Sequence, residues 1–171
     1  MQDSDLLQTI AEIAIALTGF TGVVAVLGER ARGKWRAVDL FRFNNLLTTS
    51  IAALFLAFVP ILIHKLGAPE LTAWRLSSGL AAAYILVVFA RGRSIRQLPQ
   101  DQQVEIQRPV LGALFVIHAA VFLLLVANAL GVAYSGESAP FLVAIVWLLA
   151  FAAFQFVRLL LLLQAGSEGA G

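Results

Sequence analysis

The chain has no cysteine, which removes disulfides, thiolate metal sites and cysteine nucleophiles at once. Charge is nearly as scarce: 13% of its 171 residues are Asp, Glu, Lys or Arg, about half the share found in soluble domains. The carboxylates are scattered singly and offer no acid–base pair, and the H-E-x-x-H, G-x-S-x-G and Walker patterns are absent. Catalysis is therefore not expected. The two histidines, His64 and His118, fall at different depths when the chain is threaded through a bilayer, too far apart to share a haem. No metal or other cofactor is expected. No lysine lies in mid-span, so a retinal Schiff base has no anchor.

Apolar residues are what the chain has in abundance. They make up 60% of it, and the mean hydropathy is +0.88. So much apolar surface cannot be hidden inside a water-soluble chain of this size, whereas a bilayer covers it. A helix that crosses the hydrocarbon needs about 20 mostly apolar residues. Five stretches meet or approach that length, at about 6–27, 45–63, 76–90, 110–134 and 139–163. The expected fold is an all-α bundle of five transmembrane helices forming a single domain. The start, Met1 to Asp5, is acidic, so the first apolar run reads as a retained span and not a cleaved signal. Pro60 falls inside the second span and is expected to kink it. No internal repeat is visible, which weighs against inverted-repeat transporter folds.

Lys and Arg collect in cytoplasmic loops. Counted from the N-terminal segment onward, the five segments up to the last span hold none, five, two, four and none of them, and Arg158 lies near the end of that span. That alternation puts the N-terminus outside and the C-terminus in the cytoplasm of a cell (inner) membrane. The first loop interleaves Arg30, Arg32, Lys34 and Arg36 with Trp35, a pattern expected to lie at lipid headgroups with its cations toward anionic lipid. Asp39 and Arg42, three apart, can pair on one helix surface. The net charge of +2 is mildly basic, but it is dispersed between apolar runs, so no nucleic-acid partner is expected.

Ionisable side chains inside spans are rare and mostly face a bundle interior or a water-filled path. Glu12 lies six residues into the first span, roughly 9 Å below its edge at ~1.5 Å per residue. Asn128, in the fourth span, falls at the same depth, and Ser77 and Ser78 share that layer. These four are the candidate ion or proton site, with Asn128 as the partner of Glu12. Three readings of Glu12 stand side by side: an ion- or proton-sensitive group, a hydrogen-bonded carboxyl that joins helices, and a side chain that reaches water. Ala14, Thr18, Gly19 and Gly22 supply small residues for close helix approach, so the first span is expected to pack against protein. Arg158 sits near the opposite surface, roughly 15 Å from Glu12 along the axis. It is expected in an inner polar cluster with Asp39, Asn45 and Gln155. His118 is a possible relay residue, or a core residue sharing one hydrogen bond.

A glutamate in the first span followed by Gly19, Phe20 and Thr21 resembles the small multidrug exporters in its chemistry. Those chains are shorter, have four spans and space the two elements further apart, so the likeness is one of chemistry and not of kinship. The functional expectation is a homo-oligomeric channel or transporter-like protein with Glu12 as its sensitive group. The rival is a non-transporting assembly, scaffold or sensor component that holds a partner membrane protein and anionic lipid.

Overall fold

The computed structural model describes residues 3–32, 35–92, 99, 102, 108–134 and 136–168, without the side chains of 27–32, 108 and 162–168. It is all-helical over the spans. The helices are α1 (Ser4–Arg32), α2 (Ala37–Lys65), α3 (Glu70–Gly92), α4 (Arg108–Leu130) and α5 (Ser138–Glu168). All five are long and apolar enough to cross a membrane. The starts of α1, α3 and α5 share one end of the bundle with the short α2–α3 and α4–α5 connections; we call it the N-terminal end, and its opposite the C-terminal end.

Each helix is longer at some boundary than its apolar run, for local reasons. Helix α2 begins at Ala37, eight residues before the apolar run, because Gln102 supplies the missing acceptor: its Oε1 takes the Val38 N–H at 3.0 Å. Asp39 sits in this first turn, where the helix dipole favours a carboxylate. The same helix continues through the buried Pro60 to Lys65. There the Gly67 N–H bonds the His64 carbonyl and the Ala68 N–H the Ile63 carbonyl. With Gly67 at φ +96°, this is a Schellman stop. Helix α4 ends the same way, four residues earlier than expected. Gly131, at φ +69°, bonds Asn128 O while Val132 N–H bonds Ala127 O. Helix α3 starts six residues earlier than its apolar stretch, because Trp74, Ser77 and Ser78 are buried on one face and Arg75 is carried away on another.

Helix α5 packs against all four of the others, which follow one another around it as α1–α2, α2–α3 and α3–α4. Half of its apolar window is buried, against 17% for α4, the more apolar helix of the two. Hydropathy therefore does not choose the central helix; small residues at helical spacing do. Ala144 and Ala152 of α5, Ala53 and Ala57 of α2, and Ala81 of α3 are all buried. They let backbones approach where lipid removes the hydrophobic incentive to associate. Phe141, Ile145 and Leu148 fill the space between them. The outward faces are apolar, with Phe55, Val116 and Leu123 each about two-thirds exposed, a surface suited to hydrocarbon.

The α4–α5 turn is the tightest point. A Cβ on Gly136, whose φ is +86°, would stand 2.9 Å from the Leu71 carbonyl oxygen and 3.0 Å from Arg75 Cγ. Gly136→Ala is expected to destabilise the protomer by about 2 kcal/mol through backbone strain alone, with the steric clash added. Gly19→Ala meets nothing within 4 Å and is expected to leave the stability no lower. Thermal unfolding of monomeric protein in detergent checks both; equal losses would contradict the packing described.

Candidate functional site

Most polar side chains within the spans are satisfied locally. Thr18 and Thr21 donate to Ala14 O and Leu17 O, and Ser77 donates to Ala73 O, all at 2.7–2.8 Å. These i−4 bonds consume hydroxyls that could otherwise line a path. Thr48 makes the same bond to Asn44 O and accepts one from Arg91.

Asn128 is the hub of the N-terminal end. Fully buried, it donates through Nδ2 to Ser78 Oγ at 2.9 Å and to Glu137 O at 3.0 Å, and its Oδ1 accepts the Gly136 N–H at 3.0 Å. Both amide protons and the carbonyl are used. The side chain thus fastens α3, α4 and the α4–α5 turn to one another. Beside it, Arg75 Nε donates to Ala129 O at 3.1 Å, placing a cation at the negative end of the α4 dipole. Asn128 is therefore not the partner of Glu12, contrary to the expectation from depth. Equal depth places two residues in one layer but says nothing about azimuth, and Asn128 faces α3 and the turn.

Glu12 lies on the exposed face of α1, where its Oε1 accepts a hydrogen bond from Gln8 Nε2 at 3.2 Å. The packed face of α1 is Leu7, Ile10, Ala11, Ala14, Thr21 and Val24, roughly opposite. The four-residue small-residue set is split accordingly. Ala14 is buried and Thr18 half-buried against the bundle, while Gly19 and Gly22 face outward with nothing near them. The 100° step per residue separates Ala14 from Gly19 by more than a quarter turn.

The inner polar cluster also divides. Asp39 bonds Arg36 at 3.0 Å and Arg42 at 3.4 Å, and both Asp39 and Arg42 are buried. The pair that spacing allowed on a helix surface is thus enclosed. Asn45, six residues on, points to another face and joins Gln155 in lining a cavity between α2, α3, α4 and α5. Arg158 lies over the Phe154 ring at 5.6 Å. Trp35 packs edge-on to Phe43 at 5.3 Å, half-buried, so it meets protein. Arg30 and Arg32 lie in α1 with side chains outside the described residues, as does all of Lys34.

His118 is a core residue. Its Nδ1–H donates to Leu114 O at 2.8 Å, and its ring is held by the edges of Phe89, Trp147 and Phe151. Nε2 has no hydrogen-bond partner among the described residues, and neither does the indole N–H of the neighbouring Trp147. Among the described residues, no three His, Asp or Glu side chains gather as metal ligands do.

These placements separate stabilising from unused polar groups. Asn128→Leu strands Ser78, the Gly136 N–H and the Glu137 carbonyl, and is expected to cost about 2–4 kcal/mol. Glu12→Gln on the exposed face is expected to leave the melting temperature of the monomer unchanged. Thermal melts of the two variants in detergent compare them; a larger loss for Glu12→Gln would reverse the assignment. Comparison with protein-family models, curated proteins and solved structures finds no match for this chain.

Proposed function

We propose that this is a small multi-pass protein of the cell (inner) membrane, N-terminus outside and C-terminus cytoplasmic, that forms a homo-oligomer through α1. In that assembly it acts as a channel or transporter, with Glu12 as the ion- or proton-sensitive group. The observation that carries the reading is the position of Glu12 and Gln8 on the face of α1 turned away from its own bundle. At 100° per residue, Asp5, Gln8, Glu12, Gly19 and Val23 form one stripe, and all five are exposed.

A carboxylate left against lipid is costly. A second copy of α1 covers it, because Ala16 and Gly19 below it allow close approach and each copy brings an amide to the neighbouring carboxylate. Around a shared axis the stripe gives a polar outer half, Asp5 to Glu12, and an apolar inner half, Val23 and Val26. Apolar constrictions of this kind gate by excluding water. Within one protomer, by contrast, Thr18, Thr21, Ser77, Ser78 and Asn128 are engaged in local bonds, so a path between copies is favoured over one through a bundle. The distribution of Lys and Arg supports the orientation, with the basic α1–α2 connection set against anionic lipid.

Proteoliposome flux of wild type and Glu12→Gln across a pH series from mildly acidic to mildly basic tests the reading. Wild-type flux is expected to vary with pH, and the variant to lose that variation. Identical, pH-independent traces would leave α1 as a contact for assembly alone, the scaffold or sensor role. An N-terminal tag is expected to be digested by protease added to right-side-out vesicles; protection of the tag contradicts the orientation.

A further inference from the structure

At the C-terminal end, a cavity of about 580 Å³ opens between α2, α3, α4 and α5. Its volume falls in the range of small-molecule sites. Two amides face it, those of Asn45 and Gln155. Neither makes a side-chain hydrogen bond among the described residues, although Gln155 is only 6% exposed. Nor are these amides sealed. The fully enclosed unpaired polar atoms are Ser50 Oγ, His118 Nε2 and Trp147 Nε1, so the amides of Asn45 and Gln155 remain open to the cavity.

Phe151 lies one helical turn deeper than Gln155 along α5, and His118 lies about 10 Å deeper than Leu111 along α4, at ~1.5 Å per residue. The two amides thus sit among rings, those of Phe41, Phe89, Phe115 and Phe151, with His118 as the floor along α4. The bond of His118 to Leu114 O and the ring edges of Trp147 and Phe151 fix the shape of that floor. Among the described lining residues none is charged.

We infer that this cavity is a binding site for a neutral, ring-bearing amphiphile, a flat aromatic molecule with a hydroxyl or carbonyl group. Its ring lies among Phe89, Phe115 and Phe151, where offset and edge-to-face contacts are available. Its polar group meets the amides of Asn45 and Gln155, each of which both donates and accepts. Among the described lining residues an ionised head group meets no counter-charge, and burying one so is costly. A lipid acyl chain would fill the volume but leave the amides unpaired. The site is independent of the α1 face and of what passes along it.

Binding to the full-length protein in lipid nanodiscs, corrected for partition into empty nanodiscs, tests this with three probes of one ring size. 1-Naphthol is expected to bind saturably, about five- to tenfold tighter than 1-methylnaphthalene, the effect of one buried hydrogen bond, and 1-naphthoate is expected to bind weakest. Gln155→Leu is expected to erase the difference between naphthol and methylnaphthalene, and Leu114→Trp, which fills the cavity, to weaken both. Equal wild-type binding of naphthol and methylnaphthalene overturns the proposal in favour of an acyl chain, and tightest binding of naphthoate overturns it in favour of an anion. Undiminished naphthol preference in Gln155→Leu overturns the role of the amides. The three-probe comparison on wild type needs no variant to fold.

Discussion

Hydrocarbon offers no water to complete a hydrogen bond, so each polar side chain carried into it must find a partner in protein. That constraint explains Asn128. One amide saturates a hydroxyl of α3, an amide N–H and a carbonyl of the α4–α5 turn, and the turn can close tightly because Gly131 and Gly136 accept positive φ. Arg75 completes the arrangement by taking the Ala129 carbonyl that the Schellman stop leaves over. Trp74 against Phe141, 5.7 Å between ring centres, then locks α3 onto the start of α5. The N-terminal end of the bundle is held by polar saturation, and its middle by close packing of alanines.

The same constraint gives meaning to the groups it leaves unsatisfied. The protomer uses Asn128, Ser77, Ser78, Thr18 and Thr21 internally and carries the bonded pair of Gln8 and Glu12 on an outward face. It also leaves two amides open in a ring-lined cavity. The two sets lie at opposite ends, one facing away from the bundle and the other inside it. In our proposals they serve two relations with the surroundings: contact between copies along α1, and a small neutral ligand held among α2 to α5.

How far these features were legible in the sequence depends on what each requires. The five helices follow from apolar run length, and the ends of α2 and α4 are marked by Gly67 and Gly131. Layer was also legible: Asn128 and Ser78 do share a depth and do touch. Azimuth was not. Glu12 faces outward and Asn128 inward, and because α4 stops at Leu130 Asn128 lies two residues from its helix end, where it meets the turn. A turn that folds back, as 131–137 does, adds backbone partners that linear spacing does not reveal. The central place of α5 was hidden as well, because α4 is more apolar and hydropathy cannot tell a lipid-facing helix from a protein-facing one. The cavity depends on four helices at once, so Asn45 and Gln155 read as members of a cluster with Asp39 and Arg158 until the helices are assembled.

The central claim is that the outward face of α1 meets a second copy of the chain. The absence of native cysteine makes a direct measurement simple. Single cysteines placed at Gly19 on α1 and, separately, at Phe55 on the exposed face of α2 can be oxidised in native membranes and resolved by non-reducing electrophoresis. Gly19→Cys is expected to give a cross-linked dimer in high yield while Phe55→Cys stays monomeric. A monomeric Gly19→Cys, or equal cross-linking at both positions, would contradict the account.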